Sequence, residues 1–167
     1  MRVAALCTML VLGLAAELRA APAYRIGGTV PRALAQAAPS GAAPADLRLE
    51  HVTFFLGLRA RRALDGRIAA QQDSRSPYYR QWLGPEEIAD RFGARLADYE
   101  RLRRWLRLHG FTVVRDSPFR VALVVSGTAA QIERALKAPI ALYRRNGKVQ
   151  RGPTVDPALP GELAATV

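Results

Sequence analysis

The run Val121-Ala122-Leu123-Val124-Val125-Ser126-Gly127-Thr128-Ala129-Ala130-Gln131-Ile132-Glu133 sets a strand directly against a helix. Val121 to Ser126 is a short, fully apolar and largely β-branched stretch, which reads as a strand. Thr128 and Gln131 have the spacing of a capping box, so a helix is expected over 129–137, burying Ile132, Ala135 and Leu136. Pro139 stops it. Ile140 to Tyr143 then reads as a strand, and Asn146-Gly147 as a hairpin turn.

Upstream of this unit, Thr112-Val113-Val114 reads as a strand and Ser117-Pro118 as a turn. Leu96 to His109 is the clearest helix. Leu96, Tyr99, Leu102, Trp105 and Leu106 fall on one side, and arginines at 101, 103, 104 and 107 cover the rest. Gly110 suits the position after the helix, with Phe111 packing back on the last turn. Earlier, Leu47, Leu49, Val52, Phe54, Leu56 and Leu58 alternate as in a strand, with a change of parity near His51 that predicts a bulge. An amphipathic helix follows from Arg59 to Ser74, with Ala60, Leu64, Ile68 and Gln71 on one stripe.

Setting aside the helices inserted in the middle, the order is strand, helix, strand, strand, helix, strand. This predicts an α+β fold of the ferredoxin-like split βαβ type, an antiparallel sheet with helices on one face. The predicted organisation is a secretory signal over 1–23, a mobile leader over 24–45, the folded domain over 46–150 and an extended linker over 151–167. Arg2, the apolar run from Val3 to Ala16 and the small residues Ala20, Ala21 and Ala23 carry the signal reading, with cleavage near those alanines. They predict a secreted or periplasmic product with no membrane attachment after signal removal. Residues after Asp46 number about 120, enough for one modest core.

The only cysteine is Cys7, inside the signal, which leaves the remainder without disulfides or a thiol nucleophile. The chain has 25 Lys+Arg against 14 Asp+Glu. Removing Arg2, Arg19 and Glu17 leaves 23 against 13, a net charge of +10. Lys137 and Lys148 are the only lysines, and so basic a surface favours an acidic partner.

Between the two middle helices lies Ser76-Pro77-Tyr78-Tyr79-Arg80-Gln81-Trp82-Leu83-Gly84-Pro85-Glu86-Glu87-Ile88-Ala89. Pro77 bars helix at Ser76, and Tyr78, Tyr79 and Trp82 give the loop apolar anchors. Gly84-Pro85-Glu86-Glu87 starts a short helix, with both carboxylates at the positive end of its dipole. Ile88 and Phe92 form its buried side, and Gly93 ends it.

This wording resembles the SPxYxxxLTxEE segment in the activation (pro) domain of sedolisin and kumamolisin-type serine peptidases. Three further blocks follow in the family's order: Trp105-Leu106 through Gly110, the strand running into Gly127-Thr128, and the strand bearing Tyr143, before a Pro-rich exit. Gly84 stands where Thr or Ser is common in the family, and Leu136 where Phe is more usual. The resemblance makes Ser76, Pro77, Tyr78, Trp82, Leu83, Glu86, Glu87, Trp105, Leu106, Gly110, Gly127, Thr128 and Tyr143 the family-motif positions. It implies a non-catalytic folding assistant and zymogen inhibitor, whose partner is a serine peptidase catalytic domain, in cis in the family and in trans if this chain stands alone. The catalytic domain that follows the linker in the family is not part of the expected organisation here.

Several features imitate chemistry. Glu86 and Asp90 have the spacing of two carboxylates on one helix face, but the start of a short helix accounts for both. Ser126 needs a base to act as a nucleophile, and His51 and His109 are the only histidines. No catalytic residue, metal site or cofactor is therefore expected. Arg103-Arg104 and Arg144-Arg145 are exposed pairs that are candidates for partner contacts, while Trp82 and Trp105 are expected as core or interface anchors. The alternative function is a basic ferredoxin-like nucleic-acid-binding module. That module requires aromatics on a central strand, and Val121 to Ser126 has none; the export signal also opposes it, so no nucleic acid is expected.

Overall fold

The computed structural model describes residues 23–167. The chain begins with β1 (Ala23–Arg25), α1 (Arg32–Ala35), β2 (Gly41–Ala42) and β3 (Arg48–Phe55). Three helices follow, α2 (Arg61–Gln72), α3 (Pro85–Phe92) and α4 (Leu96–Leu108). Next come β4 (Thr112–Asp116), β5 (Ala122–Thr128) and α5 (Ala129–Leu136). The chain closes with β6 (Ile140–Arg145), β7 (Lys148–Pro153), β8 (Ala158–Pro160) and α6 (Gly161–Ala164). The predicted signal run, with Ala20 and Ala21, lies outside the described residues; Ala23 opens β1.

The fold is α+β with antiparallel sheets, as expected. Its central layer is β3-β5-β4, with Val52 opposite Val125 and Phe54 opposite Leu123. The register shifts between Leu49 and Val52, which places the bulge where the parity of the sequence changes. A second shift lies between Val113 and Arg115. Helices α4 and α5 cover one face. Phe54, Leu123 and Val125 meet Leu102, Leu106, Ile132 and Leu136 there in one buried cluster.

The ferredoxin-like pattern would bring β6 alongside β3. Instead β6 pairs with β2 on one side and β7 on the other. The β6–β7 turn has Asn146 and Gly147 at φ 51° and 73°, so both central residues are left-handed, as a tight hairpin of this hand requires. With β6 turned toward its own hairpin, β3 keeps one edge without a partner strand among the described residues.

The stretches expected as a mobile leader and an extended linker both contribute elements to this fold. In the stretch read as a leader, β1 pairs with β8, β2 pairs with β6, and Leu34 is buried against Ala141 and Tyr143. In the stretch read as a linker, β7 reaches Pro153, and Leu159 and Leu163 are completely buried in the main core. Prolines and small residues hide this in the sequence, because a three-residue strand and a one-turn helix are too short to show a period.

Local choices agree with the folded state. Thr128 Oγ1 accepts from the Gln131 N–H while Gln131 Oε1 accepts from the Thr128 N–H, completing the capping box. At the end of α4, Gly110 has φ 83°, the Phe111 N–H reaches the Leu106 carbonyl, and the Gly110 N–H reaches Arg107. These are the paired bonds of a left-handed helix end. Gly93 ends α3 in extended conformation, and its reason for being glycine is space. A Cβ there would lie 2.1 Å from the Phe119 carbonyl oxygen.

Candidate partner interface

Helix α2 and the loop after it form one exposed unit. Gln71, a buried polar residue, donates from Nε2 to the Gln81 carbonyl at 2.5 Å, and its own carbonyl accepts from the Arg80 N–H. Pro77 and Ser76 shape the loop: the Ser76 hydroxyl accepts from the Tyr78 N–H, and Gln81 Nε2 donates to the Pro77 carbonyl at 2.7 Å. The Arg67 guanidinium lies 4.0 Å over the Tyr78 ring, and Arg80 lies 5.1 Å over Tyr79. Trp82 is 72% exposed. The expectation of loop anchors needs correcting for Trp82, which points largely into solvent; Tyr78 and Tyr79 are about half covered, stacked against arginines, and Leu83 is partly covered.

Helix α3 is fixed by two arginines that the sequence did not single out. Arg59 donates to the carbonyls of Asp90 and Gly93, and Arg120 Nε donates to the Ala94 carbonyl at 3.0 Å. Both bring positive charge to the C-terminal end of the helix, where its dipole is negative. Arg120 also reaches Asp90 Oδ1 at 2.5 Å. Asp90 is thus an ion-pair partner, while Glu86 stays exposed at the first turn, and Glu87 pairs with Arg91 at 2.9 Å. The signal for Arg59 and Arg120 was absent, because both reach across the fold to a helix distant in sequence.

The remaining motif positions serve packing. Leu106 is completely buried, and Tyr143 lies in the small cluster with Leu34. Gly127 sits beneath the Phe111 ring, where a Cβ would come within 2.7 Å. Trp105 is partly buried and stacks on His109 with ring centroids 4.1 Å apart; His109 Nδ1 lies 2.9 Å from the Trp105 carbonyl. Ser126 is buried, and its Oγ accepts from Arg48 Nη2 at 3.1 Å. A guanidinium cannot serve as the base a serine nucleophile needs. Among the described residues, no three His, Cys, Asp or Glu side chains gather as metal ligands would.

The arginine pairs divide. Arg103 is held inside the domain, bonded to Glu100 at 3.1 Å and 3.6 Å from Asp116, whereas Arg104 is exposed. Asp116 also accepts from the Tyr99 hydroxyl at 3.0 Å. Burial first, and then this bond, push the Tyr99 pKa up to about 12. Arg144 and Arg145 are exposed at the tip of the β6–β7 hairpin and form no ion pair among the described residues.

A second uncovered surface is the face of β3-β5-β4 turned away from the helices. Strand alternation puts Thr53 and Phe55 there, beside Val124 and Ala122. Phe55 is 71% exposed, and Val114 on the bulged part of β4 is 47% exposed. Exposed aromatics interleaved with arginine are the composition of interface centres, and an open sheet face is a flat apolar platform. None of the described helices is long and apolar enough to cross a membrane.

No curated protein matches the chain. Residues 35–167 match the family described as pro-kumamolisin, activation domain. That span takes in every motif block, the exposed aromatic loop and the folded-back C-terminal segment, and the chain belongs to the pro-kumamolisin activation-domain family.

Proposed function

We propose that this chain is the inhibitory prodomain of a secreted sedolisin-type serine peptidase, assisting the folding of the catalytic domain and covering it until acid releases it. The observation that carries this reading is the family match over residues 35–167. The signal-like run ahead of Ala23 supports export. Docking uses the open sheet face around Phe55 and the aromatic loop around Trp82, with exposed arginines such as Arg104, Arg144 and Arg145 at the rim.

Charge supplies the trigger. A chain with 23 basic against 13 acidic side chains after the signal run holds an acidic enzyme surface through arginine–carboxylate pairs. Pairing depresses carboxylate pKa values below the usual range of about 4. The stabilisation is complete above that range and is lost as pH falls through the depressed values, while arginine stays charged. The bond between prodomain and enzyme weakens in acid for that reason.

Calorimetry against a sedolisin-type catalytic domain with its serine nucleophile substituted tests the docking surfaces. Phe55→Asp and Trp82→Ala each weaken binding at neutral pH by about 2 kcal/mol, the size of an interface hot spot. Unchanged affinity in both variants contradicts the assignment of these surfaces.

A further inference from the structure

The edge of β3 that has no partner strand among the described residues borders a cavity. A space of about 310 Å³ runs beside Leu49, His51, Val52 and Thr53, and another of about 260 Å³ continues beside Thr53, Phe54 and Phe55. Val52, Thr53, Leu136, Thr29 and Pro157 line both, so the two spaces are consecutive compartments of one groove. Its floor includes Ile132 and Leu136 of α5, and its far wall is Ile140 of β6 with Arg151 and Gly152 of β7. The volume exceeds by severalfold the roughly 30 Å³ share of a single water.

Three properties of the groove define its occupant. The wall on one side is the outer edge of a strand, which faces no partner strand among the described residues and runs from Val52 to Phe55 in regular conformation beyond the bulge. Such an edge is a template for one added strand. The floor is apolar, which suits an occupant with apolar side chains at alternate positions. His51 and Arg151 are the charged or ionisable side chains in the lining, and no Asp or Glu side chain joins them among the described residues. Two β3 edges from two copies would bring these basic groups together, so charge disfavours self-pairing and favours an acidic segment.

We propose that the groove between β3 and the β6–β7 hairpin receives an extended segment of the peptidase catalytic domain as an added strand on β3. That segment is apolar toward α5 and presents a carboxylate to His51 and Arg151. This inference rests on the prodomain reading and specifies one element of the contact. It also explains why β3 carries Phe55 exposed on its face: edge and face form one continuous surface, so a strand on the edge extends the platform on which the enzyme sits.

The test is amide-resolved hydrogen–deuterium exchange of this chain, alone and with a serine-substituted sedolisin-type catalytic domain at neutral pH, together with binding of charge-reversal variants. The β3 amides between Val52 and Phe55 that exchange readily in the free chain slow at least tenfold in the complex. The double variant His51→Glu/Arg151→Glu, both positions being exposed, weakens binding at least tenfold while keeping the wild-type urea midpoint. Arg107→Glu, on the exposed side of α4, changes binding less than twofold. A complex that forms with β3 exchange and charge-reversal affinity unchanged overturns the strand addition and leaves the prodomain reading standing. Absence of any complex overturns both. Protection of β3 that grows with chain concentration in the absence of the peptidase assigns the edge to self-pairing and overturns the proposal.

Discussion

The Asp156 carboxylate and the Val30 backbone N–H are joined at 2.9 Å across 126 positions of sequence. The same carboxylate accepts from Thr29 at 2.9 Å and Gly28 at 3.1 Å, and Arg25 donates to the Asp156 carbonyl. One side chain thus fastens the N-terminal segment to the C-terminal one beside the β1–β8 pair. The Val30 bond, followed by those from Gly28 and Thr29, holds the carboxyl below the usual carboxylate range. With the folded pKa below the unfolded one, this latch is intact above about pH 4 and is lost as pH falls through the depressed value. Protection of the Gly28, Thr29 and Val30 amides therefore decreases in strong acid. Asp156→Asn lowers it at neutral pH and removes the acid dependence, which exchange measurements across that range can read.

The C-terminal segment is part of the core, and Leu163 measures how much. It is 1% exposed and packs with the cluster that includes Leu102, Leu106 and Leu159. Leu163→Ala destabilises the chain by about 2–5 kcal/mol. A urea midpoint equal to wild type would show the segment to be a detachable tail.

Gly93 has no room for a methyl group, because the contact at 2.1 Å is with backbone rather than a flexible side chain. Gly93→Ala shifts the α3 end against the 117–120 turn and costs about 1–3 kcal/mol, the range for overpacking. Gly84→Ala, where a Cβ meets nothing within 4 Å, has no steric cost and loses only the preference for glycine over alanine at the helix start, about 0.5–1 kcal/mol. Chemical denaturation of the two variants side by side checks the contrast.

Tyr99 provides the alkaline counterpart of the latch. Its neutral form is favoured by burial and by donation to Asp116, with a pKa of about 12. That stabilisation is complete below the unfolded value of about 10 and is lost as pH rises toward the folded value. Tyr99→Phe removes the hydroxyl bond, lowers neutral-pH stability by about 0.5–1.5 kcal/mol and flattens the alkaline decline. Urea unfolding in neutral and alkaline buffers distinguishes the two profiles.

The elements with strong local signals were legible in the chain itself. The capping box at Thr128, the left-handed end at Gly110, the hairpin at Asn146-Gly147 and the bulge beside His51 each depend on a few adjacent residues, and each is found where expected. What escaped depends on distant partners. Leu159 and Leu163 look like residues of a linker until β1 supplies a strand to pair with, and Arg59 looks like a surface charge until α3 presents its carbonyls. Leu96 was placed on the buried side of α4 by its period, yet it is 59% exposed at the first position of the helix. The motif loop was legible as a loop. Its exposure was not, since an aromatic side chain has the same spelling in a core and at an interface.

The central claim is that this chain covers and silences a sedolisin-type peptidase without acting on peptide bonds itself. Titrating the purified chain into a mature peptidase of that type, with residual activity read at neutral and at strongly acid pH, tests it most directly. The account predicts stoichiometric inhibition at neutral pH that is relieved as pH falls below the carboxylate range. Equal residual activity at every ratio of chain to enzyme at neutral pH, or inhibition undiminished at strongly acid pH, would contradict it.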